Sequence, residues 1–253
     1  MKHWVEAYEM NRVKIVLQKR SKGLIDYNYQ FKLASAVYTI ISDGNKKLAE
    51  SIHKHDGYKN YCFSNFIPHR KRTWKNGMDF NVATLLFSSP DKRCVDAFRR
   101  GIISSGKMKI NSTQLDVIDI TAVTPRLDRN TVFETKSPVY VKTKKEIDGK
   151  LKEWDLNPYE EKFVENVETN LVNRFREYYQ KEPEENKFRI NPIETKGKRI
   201  IIDNGKAKTF RRCHLMTFTA DASPDLLQFA YDSGIGEKNA MGFGCIEVKG
   251  GKA

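Results

Sequence analysis

Cysteine is scarce in this sequence. Its four residues, Cys62, Cys94, Cys213 and Cys245, stand far apart, with no C-x-x-C pair and no histidine at zinc-ligand spacing. Neither a zinc site nor a redox pair is signalled, so reduced core thiols, no metal and no cofactor are expected. Long apolar runs are missing too. Nothing approaches the roughly 18 residues that a membrane span needs, and the opening MKHWVEAYEMNR lacks the apolar stretch of a signal peptide. A cytoplasmic protein with no membrane association is the expectation. Acid is in deficit: 32 Asp and Glu against 45 Lys and Arg give a net charge of +13 and a pI near 9.4. A chain this basic suits a polyanionic partner, although a generically basic, thermophilic protein has the same balance.

What is present is enough apolar residue, 39% of 253, for one large core or two smaller ones. A first strand alternates Val13, Ile15 and Leu17, which leaves the first nine residues as a candidate extension outside the fold. A helix is predicted from about Tyr27 to Ser42, with Phe31, Ala34, Ser35, Tyr38 and Ile41 along one side and Gly44 as its stop. A second, Lys46 to about His55, ends at Gly57. Strands follow near Tyr61 to Ile67 and Met78 to Phe87, then a helix opened by Ser89-Pro90-Asp91, then a strand near Gln114 to Ile120. Strand, helix, strand, strand, helix, strand is the ferredoxin-like order.

Beyond a linker at Thr121 to Asn130 the order can be read again. A strand at Pro138 to Lys142 precedes a helix with Asn157 as cap, Pro158 at its first position and Phe163, Val167, Leu171 and Phe175 as its stripe. A hairpin turns at Asp203-Asn204-Gly205, and Ser223-Pro224 opens a last helix before a strand at Gly244 to Val248. The fold class is α+β, two tandem ferredoxin-like (RRM-like) domains at 10–122 and 131–250 with a C-terminal glycine-rich loop.

That loop, GIGEKNAMGFG from Gly234 to Gly244, follows a helix instead of preceding one. A P-loop or dinucleotide fingerprint needs the reverse order, because phosphates rest on a helix N-terminus. What remains is either a loop whose peptide N–H groups form an anion nest beside Lys238, or a plain C-cap at Gly234 and a tight turn at Gly242.

With its G-x-G-x5-G-x-G spacing between a final helix and a final strand, GIGEKNAMGFG resembles the glycine-rich loop of the CRISPR-associated endoribonuclease that processes precursor crRNA, a member of the RAMP superfamily. The stretch YNYQFKLASAVYTIISDGNKKLAESIHKHDGYKNYCFSNF at 27–66 resembles that family's first helix and catalytic histidine region, and TKSPVYV at 135–141 the start of its second domain. The resemblance implies metal-independent cleavage of CRISPR repeat RNA in pre-crRNA: the ribose 2'-hydroxyl attacks the adjacent phosphate, leaving a 2',3'-cyclic phosphate and a 5'-hydroxyl. Such a reaction needs a base, an acid and positive charge for the phosphorane.

In archaeal members these come from a tyrosine, a histidine fifteen residues on and a lysine six beyond, a spacing met here by Tyr38, His53 and Lys59. His53 leads, because imidazole exchanges protons near neutral pH and a helix C-terminus suits its charged, acidic form. His55 is the rival. Tyr38 is a base only if strongly perturbed and otherwise orients the 2'-hydroxyl, and Lys59 stabilises charge. Solvated or core roles are the plain alternatives for all of these residues.

For RNA binding, Gly234, Gly236, Lys238, Gly242 and Gly244 of the loop are joined by Arg211 and Arg212 in the basic run before the final helix. Subunits of a CRISPR effector complex are further expected partners, and the protein is either a monomer or a homodimer. A non-catalytic repeat-RNA-binding subunit, or an RNA-binding protein unrelated to CRISPR, would share the basic character.

Overall fold

The computed structural model describes residues 10–203 and 208–250; the first nine residues and the Asn204-Gly205 turn lie outside these. The first unit runs β1 (Arg12–Lys19), α1 (Gln30–Gly44), α2 (Lys46–Lys54), β2 (Cys62–Phe63), β3 (Ile67–Pro68), β4 (Arg72–Trp74), β5 (Gly77–Asp79), β6 (Val82–Ser88), α3 (Lys92–Ser105), β7 (Lys107–Ile110) and β8 (Thr113–Ala122). Its main sheet is ordered β2-β6-β1-β8-β7, with β3 also on β6. Leaving aside the edge strand β7 and the β4–β5 hairpin, this is the fourth-first-third-second antiparallel order of a ferredoxin-like unit.

The second unit runs β9 (Val132–Thr135), β10 (Lys142–Ile147), β11 (Lys150–Asp155), α4 (Glu161–Tyr179), β12 (Phe188–Asp203), β13 (Lys208–Ala222), α5 (Pro224–Ser233) and β14 (Ile246–Val248). Its sheet order, β12-β13-β9-β14, is the same permutation as β2-β6-β1-β8 of the first unit. Each unit has its own core, one around Leu33, Phe87 and Phe98, the other around Phe163, Leu171 and Phe218. Both rest on period-two strands and period-3.6 helices whose apolar sides meet.

Four local expectations shift. The face that α1 buries is Gln30, Leu33, Val37, Ile40 and Ile41, so Tyr38 stands at the edge of the stripe and not within it. Helix α3 is capped by Asp91 and not by Ser89: the Asp91 carboxylate accepts from the Arg93 N–H at 3.0 Å, while Ser89 Oγ, two residues earlier, accepts from the Asp91 N–H at 3.1 Å. The cap of α4 is Glu160, not Asn157, though the two still bond reciprocally around the entry: Glu160 Oε1 accepts from Asn157 N–H at 2.7 Å. The first strand of the second unit is Val132–Thr135 and not Pro138–Lys142. The later segment is buried, but its carbonyls are taken elsewhere: Pro138 O accepts from Gly244 N–H, Tyr140 O from Glu237 N–H and Val141 O from Leu156 N–H. Backbone groups spent on the glycine loop cannot also extend a sheet ladder.

Helices α1 and α3 approach closely where each carries a glycine. A Cβ on Gly101 would sit 1.9 Å from the Ile40 carbonyl oxygen, and one on Gly44 1.8 Å from that of Ala97. Gly101→Ala is therefore expected to force the helices apart and to destabilise by at least the ~1–3 kcal/mol of an overpacked core, read as a lower midpoint in urea unfolding.

Two buried arginines join the units. Arg12 of β1 is fully buried and donates to Ile246 O at 2.7 Å, Glu247 Oε2 at 3.2 Å and the carbonyl of Tyr231, with its guanidinium 3.5 Å from the centre of the Tyr231 ring. Arg174 of α4 donates to Ser233 O at 2.8 Å and Gly234 O at 3.0 Å, the carbonyl end of α5, and across to the first unit at Asn60 Oδ1, 3.4 Å away. Burial without a carboxylate partner pulls this guanidinium down to about 10.

Candidate functional site

Helix α2 is nine residues long and begins at Asn45, whose side chain accepts from Leu48 N–H at 3.1 Å. It folds back on α1, and that turn brings the Tyr38 and His53 rings together with centroids 5.5 Å apart and tilted by 52°. The Tyr38 hydroxyl donates to Ala49 O at 3.4 Å, and His53 is exposed in the last helical turn.

His55, just past the helix, is directed to the second unit, where its Nε2 lies 3.1 Å from Glu177 Oε1. The same oxygen accepts from Tyr58 N–H at 3.1 Å. Gly57 leaves room for this junction, since a Cβ there would come within 2.3 Å of the Glu177 oxygen and 2.4 Å of the His55 nitrogen. Lys59 lines a cleft of about 600 Å³ together with His55 and Glu177, and neither Tyr38 nor His53 borders that cleft. Tyr38 and His53 thus form a pair, while Lys59 and His55 occupy the far side of α2. Side chains two positions apart at the end of a helix project about 200° apart, which separates the two histidines.

The glycine loop is mostly interior. Gly234, Gly236, Gly242 and Gly244 are buried, all with positive φ, between 69° and 81°. Gly234 caps α5. A Cβ on Gly244 would lie 1.9 Å from Ile235 O, one on Gly236 2.7 Å from Tyr140 O, and one on Gly242 2.4 Å from the Phe63 ring. The N–H groups of Ile235, Glu237, Met241, Gly242 and Gly244 all bond within the protein, and Gln30 Nε2 donates to Met241 O at 3.0 Å and to Gly242 O. The loop is thus locked against both units, and its exposed point is Lys238, itself left-handed at φ 60°.

Consecutive strand residues face opposite ways, and this divides Arg211 from Arg212. Arg211 is 17% exposed, 2.9 Å from Glu153 Oε2 and 3.9 Å from Asp155 Oδ1, so its charge is already compensated by protein. The two arginines expected to bind RNA thus differ in pairing and exposure. Arg212 is exposed and lies 5.6 Å from the Trp154 ring, which also takes Lys145 at 4.7 Å. Trp154 and Lys145 belong to the β10–β11 hairpin, which sequence reasoning missed; its signal was Asp148-Gly149, with φ of 54° and 70°, between two alternating runs. Arg174 was missed as well, and its only sequence trace is a charged residue on the apolar side of α4.

Both units of the chain have counterparts. Residues 24–121 match the family described as "CRISPR-associated protein Cas6, N-terminal", and residues 122–248 match "CRISPR associated protein Cas6, C-terminal". A protein of Methanocaldococcus jannaschii named CRISPR-associated endoribonuclease Cas6 1 is 31% identical over 240 residues, covering 94% of this chain and 92% of its own length. The chain belongs to the Cas6 family. A Cas6 named CRISPR-associated endoribonuclease in Pyrococcus furiosus is 27% identical, with 95% of this chain and 90% of the relative aligned. Among solved structures, one described as CRISPR associated protein Cas6 superposes with a TM-score of 0.82 at 31% identity, covering 95% of this chain and 99% of its own. Another, described as an RAMP protein binding different RNA substrates, gives 0.84 at 25% identity, with 95% and 99% covered. The Cas6 likeness thus extends over both ferredoxin-like units and the loop between α5 and β14.

Proposed function

We propose that this chain is an endoribonuclease that cuts CRISPR repeat RNA within precursor crRNA, using 2'-hydroxyl attack and no metal. Family membership supports the substrate, and the Tyr38–His53 pair is assigned the chemistry, because it sets a phenol and an exposed imidazole, both able to exchange protons, side by side in the first unit. The 2'-oxygen forms a bond to phosphorus as the bond from phosphorus to the 5'-oxygen breaks. Tyr38 orients or deprotonates the 2'-hydroxyl, and the His53 imidazolium gives its proton to the departing 5'-oxygen. The products are a 2',3'-cyclic phosphate and a 5'-hydroxyl. Lys59 is assigned to the phosphorane charge, and His55, set against Glu177, is the rival to His53. We further assign catalysis to a domain at 10–122 and the loop to one at 131–250, in a cytoplasmic protein, monomeric or homodimeric, that hands its product to CRISPR effector subunits.

Incubating the protein with a cognate repeat in excess EDTA tests this reading: cleavage with a cyclic phosphate end supports it, and strict dependence on Mg²⁺ sinks it. The second reading is a repeat-binding subunit without catalysis, favoured by the name "endoribonuclease-like" of a relative in Pyrococcus furiosus at 28% identity. Tight binding with no product after long incubation would select it.

The RNA backbone is assigned to Lys238 at the loop apex and to Arg212, with the four loop glycines supporting the apex from within. Lys238→Ala is expected to weaken repeat binding and to lower the slope of log K against log salt by about 1. Arg211→Ala should leave that slope unchanged and instead lower thermal stability, because Glu153 and Asp155 lose their shared partner.

A further inference from the structure

The cleft bordered by Lys59 lies between the units. The end of α2 and the segment leading to β2 form one wall, the C-terminal turns of α4 another, and the start of α3 the floor. Its volume of about 600 Å³ is within the range of sites that enclose one small ligand.

Its charges do not cancel. Arg93 is paired with Asp91 at 2.9 Å and His55 faces Glu177 at 3.1 Å, but Lys54 and Lys59 make no ion pair among the described residues. With Arg93 set against Asp91, two ammonium groups face the single carboxylate of Glu177, and the net positive charge suits an anion. The neighbouring walls carry rings: Tyr58 is 37% exposed and Tyr178 half-buried. Flat phenol faces beside cations suit a base joined to a phosphate. The negative carbonyl end of α2, which would repel a phosphate, carries His53 and Lys54 in its last turn, so the approach stays favourable.

We infer that this cleft holds one nucleotide of the RNA adjoining the scissile phosphate, with its base against Tyr58 and its phosphate between Lys54 and Lys59. The inference rests on the repeat-cleaving reading, since Lys59 then touches both the cleft and the reacting phosphate. The strand crosses the C-terminal end of α2, with the Tyr38–His53 pair on one side and the base on the other. Glu177 and His55 form the rim from the two units, so the subsite is complete only in the intact chain.

The test couples an abasic substitution in the RNA to a substitution in the protein. Repeat RNAs with an abasic residue at either position flanking the scissile phosphate are bound and cleaved by the wild type, Tyr58→Ala and Tyr58→Phe. One of the two positions should cost the wild type and Tyr58→Phe roughly tenfold, as loss of one stacked base does, and cost Tyr58→Ala nothing further. An equal penalty in all three proteins, or none at either position, would overturn the subsite. Photo-crosslinking of the wild type with repeats carrying 4-thiouridine at successive positions needs no variant. Adducts on Tyr58 or Tyr178 are expected from one position, and adducts confined to other surfaces refute the cleft. A wild type that binds the repeat without cutting it refutes the nuclease reading instead, and the crosslinks still decide the cleft.

Discussion

Replacing His53 with alanine is expected to slow cleavage of a cognate repeat by roughly 10²- to 10⁴-fold in excess chelator, with repeat affinity nearly unchanged. The size follows from removing a general acid whose proton the departing 5'-oxygen needs. The unchanged affinity follows from position: His53 is exposed in the last turn of α2, and its ring touches Tyr38 without taking part in either core. Single-turnover cleavage and equilibrium binding, measured on the same RNA, separate the two effects. Full activity in this variant would remove His53 from the mechanism. His55→Ala then becomes the informative comparison, because His55 is tethered to Glu177, and its loss should cost activity only through the shape of the α2 terminus. A deeper loss in His55→Ala than in His53→Ala would reverse the assignment.

Arg12→Ala is expected to cost about 3–5 kcal/mol of stability, because it leaves the buried Glu247 carboxylate without its cationic partner and the carbonyls of Ile246 and Tyr231 without the arginine's donors. For a chain of this size that is a fall in melting temperature on the order of 10 °C. Calorimetry checks it, and a change of less than ~1 kcal/mol would show that the cluster does not join the units. A second comparison isolates the cause. Arg12→Met combined with Glu247→Gln removes both charges while filling the space, so the double variant should recover much of what either single one loses. The loop between α5 and β14 should loosen with Arg12→Ala, since Tyr231 and Ile246 stand at its two ends. Repeat binding through Lys238 then weakens in proportion.

The order of elements was legible because it is written in short-range patterns. Val13, Ile15 and Leu17 alternate and are buried; Phe163, Val167, Leu171 and Phe175 recur every four residues and are buried; Ser223 and Pro224 stand at the start of α5, although the Ser223 hydroxyl donates to Asp225 Oδ1 instead of capping the backbone. The misplacements share one cause, that a polar or backbone group was assigned to its local role while a distant partner claimed it. Pro138 to Val141 have strand composition, yet the carbonyls of Pro138 and Tyr140 serve the glycine loop about a hundred residues later, and that of Val141 serves Leu156. Arg211 sits in a basic run, yet Glu153 and Asp155 hold it from another hairpin.

By itself the sequence determined the two ferredoxin-like units, the spacing of Tyr38, His53 and Lys59, and the glycine motif that follows α5, because periodicity and turn chemistry act within a few residues. Tertiary structure alone decided that Tyr38 meets His53 while His55 meets Glu177, which is 122 residues away in the chain. It also decided that the glycines are packed inward, so that the loop presents Lys238. The direction a polar side chain takes depends on which charge or carbonyl the fold sets beside it, and that neighbour is fixed only when the two cores close on each other.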